Sequence, residues 1–292
     1  MTAVTEFSPA KINLSLHVLG RRDDGYHLLE SLVAFTGIGD AVTVEKAPSF
    51  TLTATGPFAG ELPEPRDNIV IAAAHALAHG FGDIPPGAAI RLEKNLPVAA
   101  GIGGGSANAA ACLRALLKLN DASMSETALH QIAVGLGADV PVCLRSRASL
   151  MSGVGQIVEP APELPKVHAV LVNPRVPVPT GPVFQALGLE PGATLDTAGP
   201  ALPKARFHSA EELAGYLREC RNDLEPPAAA AVREIADVES ALFALDGCLL
   251  ARMSGSGATC FGLFARETEA AAAAAQLAQS HEDWWVAATP LS

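Results

Sequence analysis

The longest uncharged stretch of the chain, Asn95 to Leu113, sets a glycine cluster directly against an alanine-rich helical pattern. Its core reads Leu96-Pro97-Val98-Ala99-Ala100-Gly101-Ile102-Gly103-Gly104-Gly105-Ser106-Ala107-Asn108. Glycines let backbone adopt positive φ and come close to another group. The pattern predicts a helix from about Ser106 to Leu119, with Ala110, Leu113 and Leu117 on one face. A helix start offers unpaired N–H groups and the positive end of a dipole, which together attract anions. The run therefore commits the chain to a turn feeding a helix. That junction is either a phosphate cradle or a turn made tight for packing.

Hydropathy bears on the same run. The chain has 292 residues, is 49% apolar, and has a mean hydropathy of +0.26. A membrane span needs about 20 mostly apolar residues. Asn95–Leu113 comes close in length but holds a proline, four glycines and two asparagines. Much of the apolarity is alanine, so a soluble protein without a membrane partner is expected. The net charge of −11 and a pI near 5.2 argue against a nucleic-acid partner, which would need clustered cations. The first residues show no basic or apolar leader, and the five cysteines form no Cys-x-x-Cys. A cytoplasmic protein with reduced thiols is expected.

Alternating apolar residues from Phe7 to Leu19 predict a strand that buries Ile12, Leu14, Leu16 and Val18 on one face. Further strands are predicted at Leu32–Phe35, Ala41–Lys46, Phe50–Thr53 and Ala89–Lys94. Helices follow at Asn68–His79, capped by Asn68, and at Ser125–Leu136, capped by Ser125. Beyond a Pro-rich stretch at Val158–Lys166 come a strand at Val167–Val172 and a long connection from Pro174 to Lys204. Helices at Ser209–Cys220 and Pro227–Leu245 lead to strands Leu249–Arg252 and Thr259–Phe264, joined by a glycine turn. Glu267–Ser280 is a helix, and Trp284–Ala288 a last strand. The order indicates an α+β fold with a boundary near residue 160, giving domains 1–160 and 161–292.

Several clusters could carry chemistry. The glycine loop lacks the lysine of a P-loop, and Ser106 and Asn108 stand where a dinucleotide fingerprint needs glycine. Lys11 and Asn13 share the polar face of their strand, where a lysine is ordinarily just solvated. Asp139 in Gly137-Ala138-Asp139-Val140-Pro141 is either a turn residue that satisfies backbone N–H groups or a carboxylate tuned by apolar neighbours. Met253-Ser254-Gly255-Ser256-Gly257-Ala258 is a hairpin turn or a backbone that presses on a ligand. Asp24-Gly25-Tyr26-His27 offers an aromatic face and an imidazole edge, or a plain half-buried pair. His75 and His79 lie one helical turn apart among alanines and read as structural.

Together, Pro9-Ala10-Lys11-Ile12-Asn13, Pro97 with Gly101-Ile102-Gly103-Gly104-Gly105-Ser106, and Ser254-Gly255-Ser256-Gly257-Ala258 resemble the three-motif layout of the GHMP kinases. Within that superfamily, Gly20–His27, Gly137–Pro141 and Asn222-Asp223-Leu224-Glu225 are similar to the 4-diphosphocytidyl-2-C-methyl-D-erythritol kinase family. The resemblance covers nearly the whole chain. It implies an N-terminal domain like ribosomal protein S5, a C-terminal α/β-plait (ferredoxin-like) domain, and an active site between them. It also implies transfer of phosphate from ATP, with Mg²⁺, to the 2-hydroxyl of that small-molecule substrate in the non-mevalonate route to isoprenoid precursors.

By the same resemblance, Asp139 is the proton acceptor and Lys11 its partner, and Pro97–Ala107 hold ATP. Tyr26 and Phe184 sandwich the cytosine, His27 bonds its edge, and Asn13 and Thr180 touch substrate. Ala99 and Ala100 stand where relatives often carry glycine, and Ala107 replaces a second serine. No metal ligand is therefore assigned, and no feature fixes the number of subunits. A GHMP kinase for homoserine or mevalonate lacks a use for Tyr26, His27 and Phe184. A non-catalytic ligand sensor on the same fold lacks a use for the Lys11 and Asp139 pair.

Overall fold

A computed structural model of the chain describes residues 3–80, 87–195, 199–202 and 206–292. In chain order the strands and helices are β1 (Val4–Asn13), β2 (His17–Arg21), β3 (His27–Lys46), β4 (Thr51–Thr55), α1 (Ile69–Gly80), β5 (Ala88–Glu93), α2 (Gly104–Leu119), α3 (Glu126–Leu136) and α4 (Val140–Arg145). There follow β6 (Ser149–Gly153), β7 (Ile157–Pro160), β8 (Val167–Asn173), α5 (Thr180–Gln185), α6 (Ala210–Glu219), α7 (Glu225–Ala231), α8 (Glu234–Phe243), β9 (Leu250–Met253), β10 (Cys260–Phe264), α9 (Glu267–Ser280) and β11 (Trp285–Leu291). The α+β class stands. The chain forms two compact units, and both β1 and β3 pass from one to the other.

The first unit comprises 1–11, 38–98 and 103–146. In it β3 pairs antiparallel with β5, from Ala41 opposite Glu93 to Lys46 opposite Ala88, and β4 lies parallel to β5. A parallel pair needs a crossover, which α1 supplies. Asn68 accepts from the Val70 N–H at 2.9 Å, as a cap before the apolar run should. Ser125 does the same for α3, accepting from Ala128 N. Helix α2 packs on α1 and α4, and its Ala107–Leu113 stretch is buried without interruption. Small side chains permit that close helix contact.

The second unit comprises 12–37, 99–102 and 147–292. Four antiparallel strands run in the order β11-β8-β10-β9, and every residue of β8 and β10 is buried. Helices α8 and α9 cover these strands with Ile235, Val238, Leu242, Ala273 and Leu277. Strands β2 and β6 both pair antiparallel with β3, and β7 pairs with β6.

Five expectations need correction. The single strand over Phe7–Leu19 is two, β1 and β2, interrupted near Leu14–Leu16. Its polar face is not solvated: Lys11, Asn13, Ser15 and His17 are as buried as the apolar residues between them. The helix over Pro227–Leu245 is also two, because the chain turns extended at Val232 between α7 and α8. The connection after Pro174 carries a short helix of its own, α5, and part of it lies outside the described residues. Helix α2 begins two residues before the serine expected to open it.

Candidate active site

Lys11 and Asp139, distant in sequence, meet in the first unit with Nζ 2.9 Å from Oδ2. The Lys11 side chain is 4% exposed and that of Asp139 36%, so the ammonium is inside while the carboxylate reaches the surface. Asp139 stands at the head of α4 but caps none of its N–H groups with its side chain. That removes the reading in which it merely satisfies a turn. Pro141 begins that helix without needing a donor partner, as proline does in a first turn. Behind the pair, burial and the Asp139 charge push the Cys143 thiol up to about 12, which keeps it inert.

Gly103 ends the glycine loop in the left-handed region, at φ 63°, and no side chain caps α2 behind it. A methyl group on Gly103 would lie 3.1 Å from Lys11 Cε. Glycine is required there twice over, for φ and for the approach to Lys11. The first N–H groups of α2 are left without a side-chain partner beside the lysine, the arrangement an anion needs. Pro97, Val98, Gly104, Gly105, Ser106 and Ala107 lie in this same unit. Ser106 is half-buried, whereas Ala107 is buried and lacks a hydroxyl.

The middle of the loop, Ala99 to Ile102, belongs to the second unit and lies against the Met253–Thr259 turn. Thr259 N donates to Ala100 O at 3.2 Å, and Ser254 Oγ donates to Gly101 O at 3.1 Å. A Cβ on Gly101 would sit 2.5 Å from Ser254 O, so backbone meets backbone. Asn13 donates its backbone N–H to Ser254 Oγ at 3.0 Å and its amide to Ser31 Oγ at 2.7 Å. Asn222 donates to Met253 O and to Gly255 O, each at 2.9 Å, and Glu225 accepts from Met253 N. Burial and the neighbouring Glu225 carboxylate push Glu239 up to about 8. Ser254 was not expected from sequence as a site residue; its signal was its place at the start of the Ser254-Gly255-Ser256-Gly257-Ala258 motif.

Helix α5 carries Thr180 at its start and Phe184 one turn later. Thr180 and Ser256 share a hydroxyl–hydroxyl bond of 2.9 Å, which ties the helix to the glycine turn. Phe184 packs on the His27 ring with centroids 4.9 Å apart. Burial, with Arg21 nearby, lowers the His27 pKa and keeps the imidazole neutral at pH 7. Its buried Nε2 has no partner among the described residues, which costs free energy until something fills it. Tyr26 is 63% exposed beside it.

Two family models match the chain: the GHMP kinases N-terminal domain over residues 68–147 and the GHMP kinases C-terminal domain over 200–283. A 4-diphosphocytidyl-2-C-methyl-D-erythritol kinase from Paramagnetospirillum magneticum is 50% identical over 291 residues, covering 100% of this chain and 99% of its own. One from Cereibacter sphaeroides is 52% identical over 281 residues, 96% of each chain. A crystal structure of a 4-(cytidine 5'-diphospho)-2C-methyl-D-erythritol kinase matches with TM-score 0.77 and 35% identity over 99% of both chains. Homoserine kinase from Cytophaga hutchinsonii shares the fold alone, at TM-score 0.69 and 19% identity over 99% of this chain and 95% of its own.

Proposed function

Since the chain belongs to the 4-diphosphocytidyl-2-C-methyl-D-erythritol kinase family of GHMP kinases, we propose that Lys11 and Asp139 carry out its phosphoryl transfer. The enzyme takes phosphate from ATP, and the acceptor is the 2-hydroxyl of 4-diphosphocytidyl-2-C-methyl-D-erythritol. The observation that carries this reading is the 2.9 Å contact of Lys11 with Asp139, made where Gly103 opens α2. Phosphoryl transfer asks the protein for alignment and charge compensation rather than covalent chemistry. Asp139 accepts the hydroxyl proton as the oxygen attacks. Lys11 orients that carboxylate and offsets charge on the transferring group.

ATP lies along Pro97–Ala107, its phosphates held by backbone N–H groups at the start of α2. Tyr26 and Phe184 flank the cytosine, and the neutral His27 bonds its edge through Nε2. Asn13 and Thr180 contact substrate from positions already fixed by Ser254 and Ser256. Among the described residues no three His, Cys, Asp or Glu side chains converge as a cation site. That fits Mg²⁺ held mainly by phosphate oxygens and water, its usual mode with nucleotides. When bound, it would neutralise phosphate charge.

In chain order the modules are 1–160 and 161–292, with the family models over 68–147 and 200–283 on either side of that boundary, while by packing residues 12–37, 99–102 and 147–160 belong with the second unit. Among the described residues no helix is long and apolar enough to cross a membrane, and the five cysteines are unbridged. A cytoplasmic location belongs to the same proposal. Product analysis tests the reaction. With ¹³C-labelled substrate, new ³¹P coupling to the methyl carbon on C2, which is three bonds from phosphorus only through the 2-oxygen, is expected; a phosphorylated product without that coupling would overturn the assignment of the 2-hydroxyl.

A further inference from the structure

A second ion pair in the first unit is more deeply buried than Lys11–Asp139, and none of the roles above uses it. Asp40, on β3, is fully buried, and Lys94, just after β5, is 2% exposed. Lys94 Nζ donates to Asp40 Oδ2 at 2.7 Å. Asp40 Oδ1 accepts from Asn95 N at 2.7 Å and from Leu96 N at 2.9 Å. The Lys94 main chain is held as well: its N–H donates to Thr55 O at 2.8 Å, and its carbonyl accepts from Phe58 N at 3.2 Å. Three consecutive residues before Pro97 are therefore fixed.

The far end of the loop rests on the same pair. A methyl group on Gly104, the first residue of α2, would lie 3.4 Å from Lys94 Nζ, 3.9 Å from Asp40 Oδ2 and 3.9 Å from Leu96 Cδ1. Burying two charges costs several kcal/mol per ion, and apolar pairs of similar volume are often as stable. Burial lowers the Lys94 pKa, against the pull of Asp40, so the desolvation is felt by the lysine. Stability alone does not call for this pair. Both of its charged groups are spent on each other and on backbone, so neither is offered to a ligand.

We propose that Asp40 and Lys94 are positioning residues for the nucleotide: together they fix both ends of the Pro97–Ala107 loop and so set its N–H groups for the phosphates. This rests on the reading of that loop as the ATP site. The pair acts through the backbone, and a small displacement of the loop is enough to weaken binding.

The test is the double variant Asp40→Asn/Lys94→Met, which leaves no lone buried charge and keeps an amide oxygen for Asn95 and Leu96. Lys94→Gln is made beside it, so that the comparison stands if the double variant does not fold. ADP affinity is measured by calorimetry, KM for each substrate by steady-state kinetics, and folding by thermal melting. The ADP dissociation constant and the KM for ATP are expected to rise about ten- to a hundredfold. The KM for the cytidine substrate is expected to stay within about twofold. A folded variant whose nucleotide constants stay near wild type, with only its melting temperature lowered, overturns the proposal. So does an equal rise in both KM values. A wild-type protein that binds neither ATP nor ADP overturns instead the reading of the loop on which the proposal rests.

Discussion

Replacing Asp139 with asparagine separates chemistry from binding and from folding. The amide keeps the shape of the carboxylate but cannot accept the hydroxyl proton. Loss of a positioned general base costs about 10²- to 10⁴-fold in rate, or about 3–5 kcal/mol of barrier. The structural cost is smaller. Breaking a buried ion pair costs about 3–5 kcal/mol, but exposed pairs contribute only about 0–1 kcal/mol. With Lys11 inside and Asp139 one-third exposed, about 1–3 kcal/mol is expected. The melting temperature should fall by several degrees and leave the protein folded at assay temperature. Coupled ADP release should show kcat lowered by at least about a hundredfold, while calorimetry shows ADP bound about as tightly as by wild type. A folded variant with kcat within about tenfold of wild type would refute Asp139 as the proton acceptor.

Ala99 holds φ 52°, a region that costs a non-glycine residue about 1–2 kcal/mol, so Ala99→Gly should raise the melting temperature slightly despite its entropy. Gly101→Ala should do the reverse, losing about 1–3 kcal/mol and weakening ADP binding, since its methyl would strike Ser254 O. Because burial lowers the His27 pKa, the KM for the cytidine substrate at saturating ATP should rise only as pH falls below the ordinary histidine range, and His27→Gln should abolish that rise. Glu239 titrates near 4.5 when unfolded and about 8 when folded. The folded state therefore holds a proton the unfolded state has lost, and stability should decline as pH rises across that window. Glu239→Gln should flatten the decline in melts run from pH 5 to pH 8.

Local signals carried far in this chain. Asn68 and Ser125 cap the helices they announce, and the glycine loop meets α2 within two residues of the expected start. These features depend on neighbours in sequence, which is why a single chain reveals them. Burial of Lys11 did not show, because alternation in β1 marks one face and cannot tell when a helix or turn covers the other. The split between α7 and α8 was hidden for a related reason: Val232 suits a helix face as well as an extended break. Ser254 and the Asp40–Lys94 pair owe their places to long-range contacts, so their residue types alone gave no hint. Lys11, Asp139, Tyr26 and His27 were legible chiefly through their resemblance to a known family.

The identity of the acceptor alcohol decides what this enzyme does. Purified wild-type protein, given ATP and Mg²⁺, should be assayed for ADP release with 4-diphosphocytidyl-2-C-methyl-D-erythritol, homoserine and mevalonate in parallel. Release with the cytidine-diphosphate compound and with neither smaller alcohol is predicted; release with homoserine or mevalonate and none with that compound would contradict it.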